Sequence, residues 1–320
     1  MPKVSVIVPI YGVEKYIERC ARSLFEQTLD DMEFVFVNDC TKDNSIAVLE
    51  KVIEDYPNRK EQIKILKHEC NKGLPKARET GVDNATGEYV AHCDSDDWVD
   101  LEMYKKMYDN AKRNDVDTII CGYYIYYNEN QKRAVVNKPY NDNYSILRGL
   151  FRHTISPSIW AKMTKRELYL STKIVYAECN MAEDFVLSLQ LLMNSKKISF
   201  LNECLYNYFY NEQAMTKQNT LSGLLRKRDQ LQANVYLIEE ILKRNNKYLE
   251  YKDLLVYTKL SFRNTFLEFC KNDEVYKLWY NTFPEIKSLI LSNKEVSILQ
   301  KLKFFVCLYK IWPFYKKFIK

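Results

Sequence analysis

The first 94 residues alternate apolar strand-like runs with amphipathic helix-like segments, and that order restricts the chain more than any other feature. KVSVIVPIY (3–11), MEFVFVND (32–39), IKILKHE (63–69) and EYVAHCD (88–94) read as strands. Their continuous, β-branched apolar character is that of strands covered on both faces. Residues 13–28, 43–55 and 74–85 read as helices between them; the first sets Tyr16, Ile17, Cys20 and Leu24 at helical spacing, and the second follows Asp43 at an N-cap-like position. A βαβαβαβ order predicts an α/β fold whose sheet is mostly parallel, with right-handed crossovers and helices on both faces. Such sheets bind ligands beyond the carboxyl ends of their strands.

Three of those strand ends carry residues with chemistry to offer. Tyr11 closes the first strand, Asp39 the second, and CDSDD (93–97) the fourth. Asp94, Asp96 and Asp97 repel one another at the end of a buried strand, so a positive partner is expected there. Carboxylates two positions apart can face one divalent cation, and hard oxygen ligands suit Mg2+ or Mn2+ shared with a diphosphate. A solvated acidic turn capping a helix that starts near Asp100 is the competing reading; the strand-end position favours the cation. Asp39 can accept a hydrogen bond from a base N–H or a ribose hydroxyl, whereas capping alone accounts for Asp43. In NKGLPKARETGVDNATGEYV (71–90), Arg78 stands on the early turns of a helix, where it suits phosphate, base or solvent. In MAEDFVLSLQLL (181–192), Glu183 and Asp184 open an amphipathic helix. The helix dipole by itself favours acids there, and only a carboxylate over the crevice can serve as a general base.

Other chemistries lack their residues. GxSxG, GxxxxGK[ST] and GxGxxG motifs do not occur, and His68, His92 and His153 share no ligand spacing, which excludes serine-hydrolase, P-loop and dinucleotide readings. Nine cysteines form no CxxC pair and read as reduced packing residues of a cytosolic protein. The opening MPKVSVIVPIYG reads as a first strand, not a signal peptide, so a cytoplasmic location is expected.

The texture changes after about residue 130: residues 155–210 mix short pieces, and 220–320 read mostly helical. A boundary near 215 is expected, dividing a catalytic-type domain, 1–215, from a helical C-terminal region, 216–320. The net charge of +6 is confined to residues 301–320, which hold six lysines and no acid. Within that tail FFVCLYKIWPFY (304–315) falls short of the roughly 20 apolar residues a bilayer span needs. Its interleaved aromatics and lysines suit an interfacial helix on anionic lipid at the inner face of the plasma membrane, a packed terminal helix being the alternative. Charge confined to one aromatic tail does not suit nucleic acid.

Taken in order, these segments resemble bacterial glycosyltransferase family 2, inverting transferases of the GT-A fold that use nucleotide-activated sugars. VSVIVPIYGVEKYIERCARSLFEQT resembles the family's opening strand and helix, VNDCTKDNS its V-D-D-G-S-T-D-N-S, and NKGLPKARETGVDNATGEYV its N-x-G-x-x-x-A-R-N-x-G with A-x-G-E-Y. CDSDD is similar to its DxD, and the likeness continues through SIWAKMTKREL, AEDF and LNECLYNYFYNEQAMT, about two thirds of the chain. The resemblance implies a nucleotide-sugar site made of Pro9, Tyr11, Asp39, Arg78, Asp94 and Ser95, with Tyr11 stacked on the base, Asp39 and Arg78 beside it, and Asp94 at the ribose. It implies Asp96 as metal ligand with Asp97 supporting it, Asp184 as catalytic base flanked by Glu183, and Mn2+ or Mg2+ as cofactor. The implied reaction moves a sugar, on this reading from a UDP-sugar, to a hydroxyl of a saccharide or lipid-linked acceptor in surface polysaccharide synthesis.

The chain departs from the pattern at Gly12, Asn38, Cys40 and Phe209. Cys40 replaces a Gly and disfavours a left-handed backbone, so a differently shaped loop is expected there. Phe209 stands where relatives often carry Arg. These changes leave a non-catalytic nucleotide-sugar-binding or scaffold protein as the alternative; a nucleotidyltransferase would want a Gly-rich basic loop that VPIYGVEKY lacks.

Overall fold

The computed structural model describes residues 1–140, 142–210, 220–269 and 273–310. They group into two units: Met1–Ile146 with Ile155–Asn211, and Leu147–Thr154 with Glu212–Lys320. Residue 215, the boundary read from the sequence, lies outside the described residues.

The first unit is built on β1 (Val4–Ile10), β2 (Met32–Asn38), β3 (Ile63–Lys67), β4 (Tyr89–His92), β5 (Trp98–Val99), β6 (Thr118–Asn128), β7 (Gln131–Val135), β8 (Lys162–Lys165) and β9 (Ile198–Phe209). They form one sheet in the order β3-β2-β1-β4-β8-β6-β9-β5, with β7 beside β6. The four strands expected from the apolar runs pair in parallel as β3-β2-β1-β4. Beyond β4 the expectation of a mostly parallel sheet gives way to a mixed one. There β8 runs antiparallel to β4 and β6, β6 and β9 are parallel, and β5 and β7 are antiparallel to their neighbours. The reason is local for one pair: β6 and β7 are joined by a two-residue turn, which only an antiparallel hairpin permits.

Helices α1 (Ile17–Phe25), α2 (Ser45–Glu54), α3 (Leu74–Asn84), α4 (Met103–Asn114), α5 (Asn143–Phe151), α6 (Arg166–Ser171) and α7 (Glu183–Asn194) follow the strands. Side chains alternate across β1 as the pleat requires. Val4, Val6, Val8 and Ile10 face Leu24 and Phe25 of α1 and Met103 and Met107 of α4. Ile7 faces the other way, with Ala77 and Val82 of α3 and Leu187 and Leu191 of α7. Helices therefore cover both faces. Gly81 sets how close α3 comes, since a Cβ there would overlap Cγ2 of Ile7. That close seat carries Arg78, one turn earlier, in among the carboxyl ends of the strands.

The second unit is helical: α8 (Leu221–Arg244), α9 (Tyr248–Asn264), α10 (Asp273–Asn281) and α11 (Ile298–Leu308). The segment 147–154 belongs to it, with Phe151 stacked 5.9 Å from Tyr251 and its carbonyl accepting the Thr258 hydroxyl at 3.0 Å. Lys259 is buried between Glu239 and Glu285 at 2.7 and 2.8 Å. Arg263, fully buried, lies 4.1 Å from the Trp279 ring. A capping box of Ser297 and Gln300 starts α11, which buries Phe304 and Cys307. Residues 311–320, half of the basic tail, lie outside the described residues. No helix among the described residues is long and apolar enough to cross a membrane.

Candidate functional site

The acidic cluster begins where β4 stops. The Cys93 amide still donates to the Ile7 carbonyl at 2.9 Å, extending the parallel ladder, and Asp94 then turns away, its amide donating to the Tyr206 hydroxyl at 3.0 Å. A tight turn follows, with the Asp97 amide donating to the Asp94 carbonyl at 3.1 Å. The turn leads into β5, so the cluster caps no helix; α4 starts only at Met103. Asp97 is fully buried and both its oxygens are engaged, one by the Tyr206 hydroxyl and one by the Phe209 amide, each at 2.7 Å. Burial, with Asp96 and Asp94 adding to it, pushes its carboxyl well above the usual carboxylate range. Ser95 is buried beside it. Asp96 is half-buried; burial and then the charge of Asp94 push its pKa up to about 6, against the opposing pull of Arg19. Arg19 donates to the Asp96 carbonyl at 3.0 Å while its guanidinium covers the Trp98 ring at 3.7 Å.

Arg78 joins this turn to the start of α7. Its Nε donates to Glu183 at 3.0 Å, and one terminal nitrogen reaches Asp94 at 3.0 Å and Asp184 at 3.2 Å. Burial works against the charged guanidinium, but Glu183, Asp94 and Asp184 hold its pKa well above the ordinary arginine value. One cation does not balance three carboxylates. Glu183 is deeply buried, and burial pushes it well above the usual range although Arg78 opposes the shift; Asp94 is raised by burial too. Asp184 is the partly open member of the pair, its side chain 25% exposed. Just before them Ala182, the N-cap, is held at φ +63°, a left-handed conformation that a non-Gly residue adopts at a cost of about 1–2 kcal/mol. The Arg78 contacts hold the first turn of α7 at the strand ends.

At the other strand ends, Pro9 lies within buried β1 opposite Val37, and Tyr11 follows it, 53% exposed. The Gly12 amide donates to the Thr41 hydroxyl at 2.9 Å, tying the loops after β1 and β2 together. Asp39 is buried, with its carboxylate accepting the Lys72 and Gly73 amides at 2.8 and 2.9 Å and contacting His68 Nδ1 at 2.7 Å. It therefore anchors the loop that enters α3. Cys40 overturns one expectation: it does adopt the left-handed backbone, at φ +58°. The loop keeps a glycine-type shape and carries the strain of a side chain in it. Cys40→Gly is accordingly expected to raise the unfolding free energy by about 0.5–1 kcal/mol, the relief of strain less the extra freedom of the unfolded chain, read from urea denaturation midpoints.

The fold thus brings Asp94, Ser95, Asp96 and Asp97 to the end of β4 and joins Asp94 through Arg78 to Glu183 and Asp184. Arg78, which the resemblance placed beside a base, faces these carboxylates. Tyr11 and Asp39 stand at the ends of β1 and β2, strands adjacent in the sheet. Three participants carried no signal in the sequence reading: His68 as the partner of Asp39, Tyr206 as the link between Asp94 and Asp97, and Arg19. Tyr206 falls inside LNECLYNYFYN, a segment whose likeness to the family implies no role for it. Phe209, at the position where Arg was missed, contributes its backbone amide. Among the described residues no three acidic, histidine or cysteine side chains converge as a closed metal cage.

Residues 5–187 match the family model described as glycosyl transferase family 2. The chain is 31% identical over 226 residues to EpsJ of Bacillus subtilis (strain 168), an uncharacterized glycosyltransferase, covering 68% of this chain and 64%, under two thirds, of that protein. It is 29% identical over 315 residues to a cholesterol galactosyltransferase of Borreliella burgdorferi, covering 94% of this chain and 83% of the other. Among solved structures it is similar to residues 1–349 of Staphylococcus aureus TarS in complex with UDP-GlcNAc, with a TM-score of 0.61, 20% identity and coverage of 96% and 91%. The expected GT-A fold is the one observed.

Proposed function

The chain belongs to glycosyl transferase family 2, and from that premise we propose that it is an inverting transferase moving a sugar from a UDP-sugar to a hydroxyl of a saccharide or lipid-linked acceptor. The observation that carries the reading is the Arg78 bridge, which holds a half-open carboxylate, Asp184, to the donor-type cluster at the end of β4. Displacement at the anomeric carbon needs one base, and no acid-acting partner carboxylate, because a diphosphate already leaves readily. Arg78 braces Oδ1 of Asp184, which leaves the other oxygen to take the acceptor's proton. Glu183, kept toward its protonated form by burial, holds Arg78 in place and does not compete for that proton.

The net negative charge around Asp94 and Asp96 suits a divalent cation, Mn2+ or Mg2+. With no closed protein cage among the described residues, the ion's remaining ligands would be diphosphate oxygens and water, as such ions prefer. Asp96 would hold it and Asp97, saturated by Tyr206 and Phe209, would fix the turn. When bound, the ion neutralises charge on the leaving diphosphate. Tyr11 offers an exposed ring to the base, and Pro9, Asp39 and Ser95 shape the walls. A role in surface polysaccharide or glycolipid synthesis agrees with relatives named as a cholesterol galactosyltransferase and a poly(ribitol-phosphate) β-N-acetylglucosaminyltransferase, and the six lysines of residues 301–320 would bring the chain to an anionic membrane surface.

A panel of UDP-sugars tests this directly. At about a hundred times its Kd the correct donor should raise Tm by a few degrees with Mn2+ present, and Asp96→Ala should remove both the shift and its metal dependence. Equal stabilisation in EDTA, or none by any nucleotide sugar, would overturn the donor assignment.

A further inference from the structure

Among its described residues the helical unit carries an exposed apolar face. Four of the six most exposed aliphatic side chains among the described residues fall within twelve positions: Leu291 (67%), Ile298 (77%), Leu299 (72%) and Leu302 (59%). Ile298 and Leu302 are one helical turn apart on α11, and Tyr309, also exposed, lies seven residues further along the same stripe. Phe304 and Cys307, by contrast, point into the unit's own core. An amphipathic helix on a folded body ordinarily shows its polar side to solvent, so α11 is apolar on the side that should be polar. The chain at Leu291 is held to this helix, since the Lys301 ammonium donates to the Leu291 carbonyl at 2.8 Å.

The charge around this face has one sign. Residues 286–310 contain Lys287, Lys294, Lys301, Lys303 and Lys310 against a single acid, Glu295. Glu295 is neutralised by Arg148 and Arg152, each at 2.9 Å, and Asp273 by Lys310 at 3.0 Å. Leucine and isoleucine interspersed in the chain with lysines, with Glu295 and Asp273 already paired, complement a surface that is anionic at the headgroups and apolar beneath.

We infer that Leu291, Ile298, Leu299 and Leu302 form an insertion face that seats the helical unit in the headgroup region of an anionic bilayer. The inference shares its surface with the charged tail considered above but rests on a different feature, apolar burial, which salt does not screen.

Sedimentation of the full chain with phosphatidylcholine vesicles, with and without phosphatidylglycerol, separates the two. The wild type should bind the anionic vesicles tightly at low salt and retain measurable binding at high salt. The combined variant Ile298→Ser, Leu299→Ser, Leu302→Ser should lose at least about tenfold in partitioning at both salts, because three aliphatic side chains no longer enter the interface. Leu291→Ser, which lies outside the helix, should give a smaller loss in the same direction. Tm and helical circular dichroism should not change, since all four side chains are exposed. Unchanged partitioning of the triple variant would overturn the insertion face while leaving a salt-sensitive tail interaction standing. A lower Tm in the variant would mean that this chain covers the face itself. A wild-type dimer in analytical ultracentrifugation that the variant converts to monomer, with vesicle binding unaltered, would assign the face to a second copy; either result overturns the proposal.

Discussion

Asp184→Asn is expected to cut sugar transfer by at least about a hundredfold while leaving donor affinity within about twofold. The substitution is isosteric. The amide oxygen can keep the 3.2 Å approach to Arg78 that Asp184 Oδ1 makes, so the turn at the end of β4 and the head of α7 stay joined. What is lost is the second oxygen's ability to accept a proton, because the amide nitrogen has no lone pair to offer. Steady-state kinetics with donor saturating, together with donor titration by calorimetry, separate the two effects. Glu183→Gln provides the contrast: a buried carboxyl already pushed toward its protonated form is well mimicked by an amide, and turnover should fall only modestly. Wild-type turnover in Asp184→Asn, or a larger loss in Glu183→Gln, would move the base assignment to Glu183.

The second large effect is on stability. Arg78→Met removes the guanidinium that bridges Asp94, Glu183 and Asp184, stranding acids that burial already disfavours. Breaking such a buried arrangement from one side costs about 3–5 kcal/mol. Its pH dependence gives the mechanism away. Glu183 and Asp94 have folded-state pKa values raised above their unfolded ones, so the native state holds protons that the unfolded chain releases. Stability is then greatest below the ordinary carboxylate range and falls as pH rises through the raised values, and losing Arg78 lifts those values further. Urea denaturation of the variant should therefore show a smaller deficit at about pH 5 than at about pH 8. A deficit independent of pH would mean that packing, not charge, is what Arg78 provides. Arg78→Lys should recover part of the stability, since an ammonium supplies the charge but not the fork that reaches three partners.

The features legible in the sequence were the local ones. Four apolar runs and the helices between them report the parallel half of the sheet because strand burial and helix amphipathicity are written into adjacent residues. CDSDD stood out because three acids at the end of a buried strand repel one another, whereas the acids of AEDF are ordinary in a first helical turn and gained their meaning from the resemblance. The mixed half of the sheet was not legible: β8 and β9 take their directions from partners far along the chain, and nothing within KMTK states which strands it will lie between. The same holds for the site. His68 meets Asp39 across 29 residues, and Arg78 meets Asp94 and Glu183 across 16 and 105. His68 showed no ligand spacing and Arg78 suited phosphate, base or solvent equally until the fold supplied their neighbours. Cys40 was misread for a different reason. Propensity argues against a left-handed cysteine by about 1–2 kcal/mol, and the surrounding contacts, including the Asn38 side chain accepting the Thr41 amide at 2.9 Å, outweigh it.

The assignment of residues 147–154 to the helical unit makes the chain's two units interleaved in order of synthesis. A ribosome delivers Phe151 long before Tyr251 and Thr258, so for roughly a hundred residues of elongation its ring and its carbonyl wait without these partners. The same interleaving governs how the protein can be dissected. A fragment ending at 211 would hold every proposed site residue yet display an orphaned Leu150–Phe151 segment, while one beginning at 212 would carry an empty berth beside α9. Neither piece is a self-contained module, and co-expression of the two halves, with 147–154 restored to its partners, is the natural unit for separating their activities.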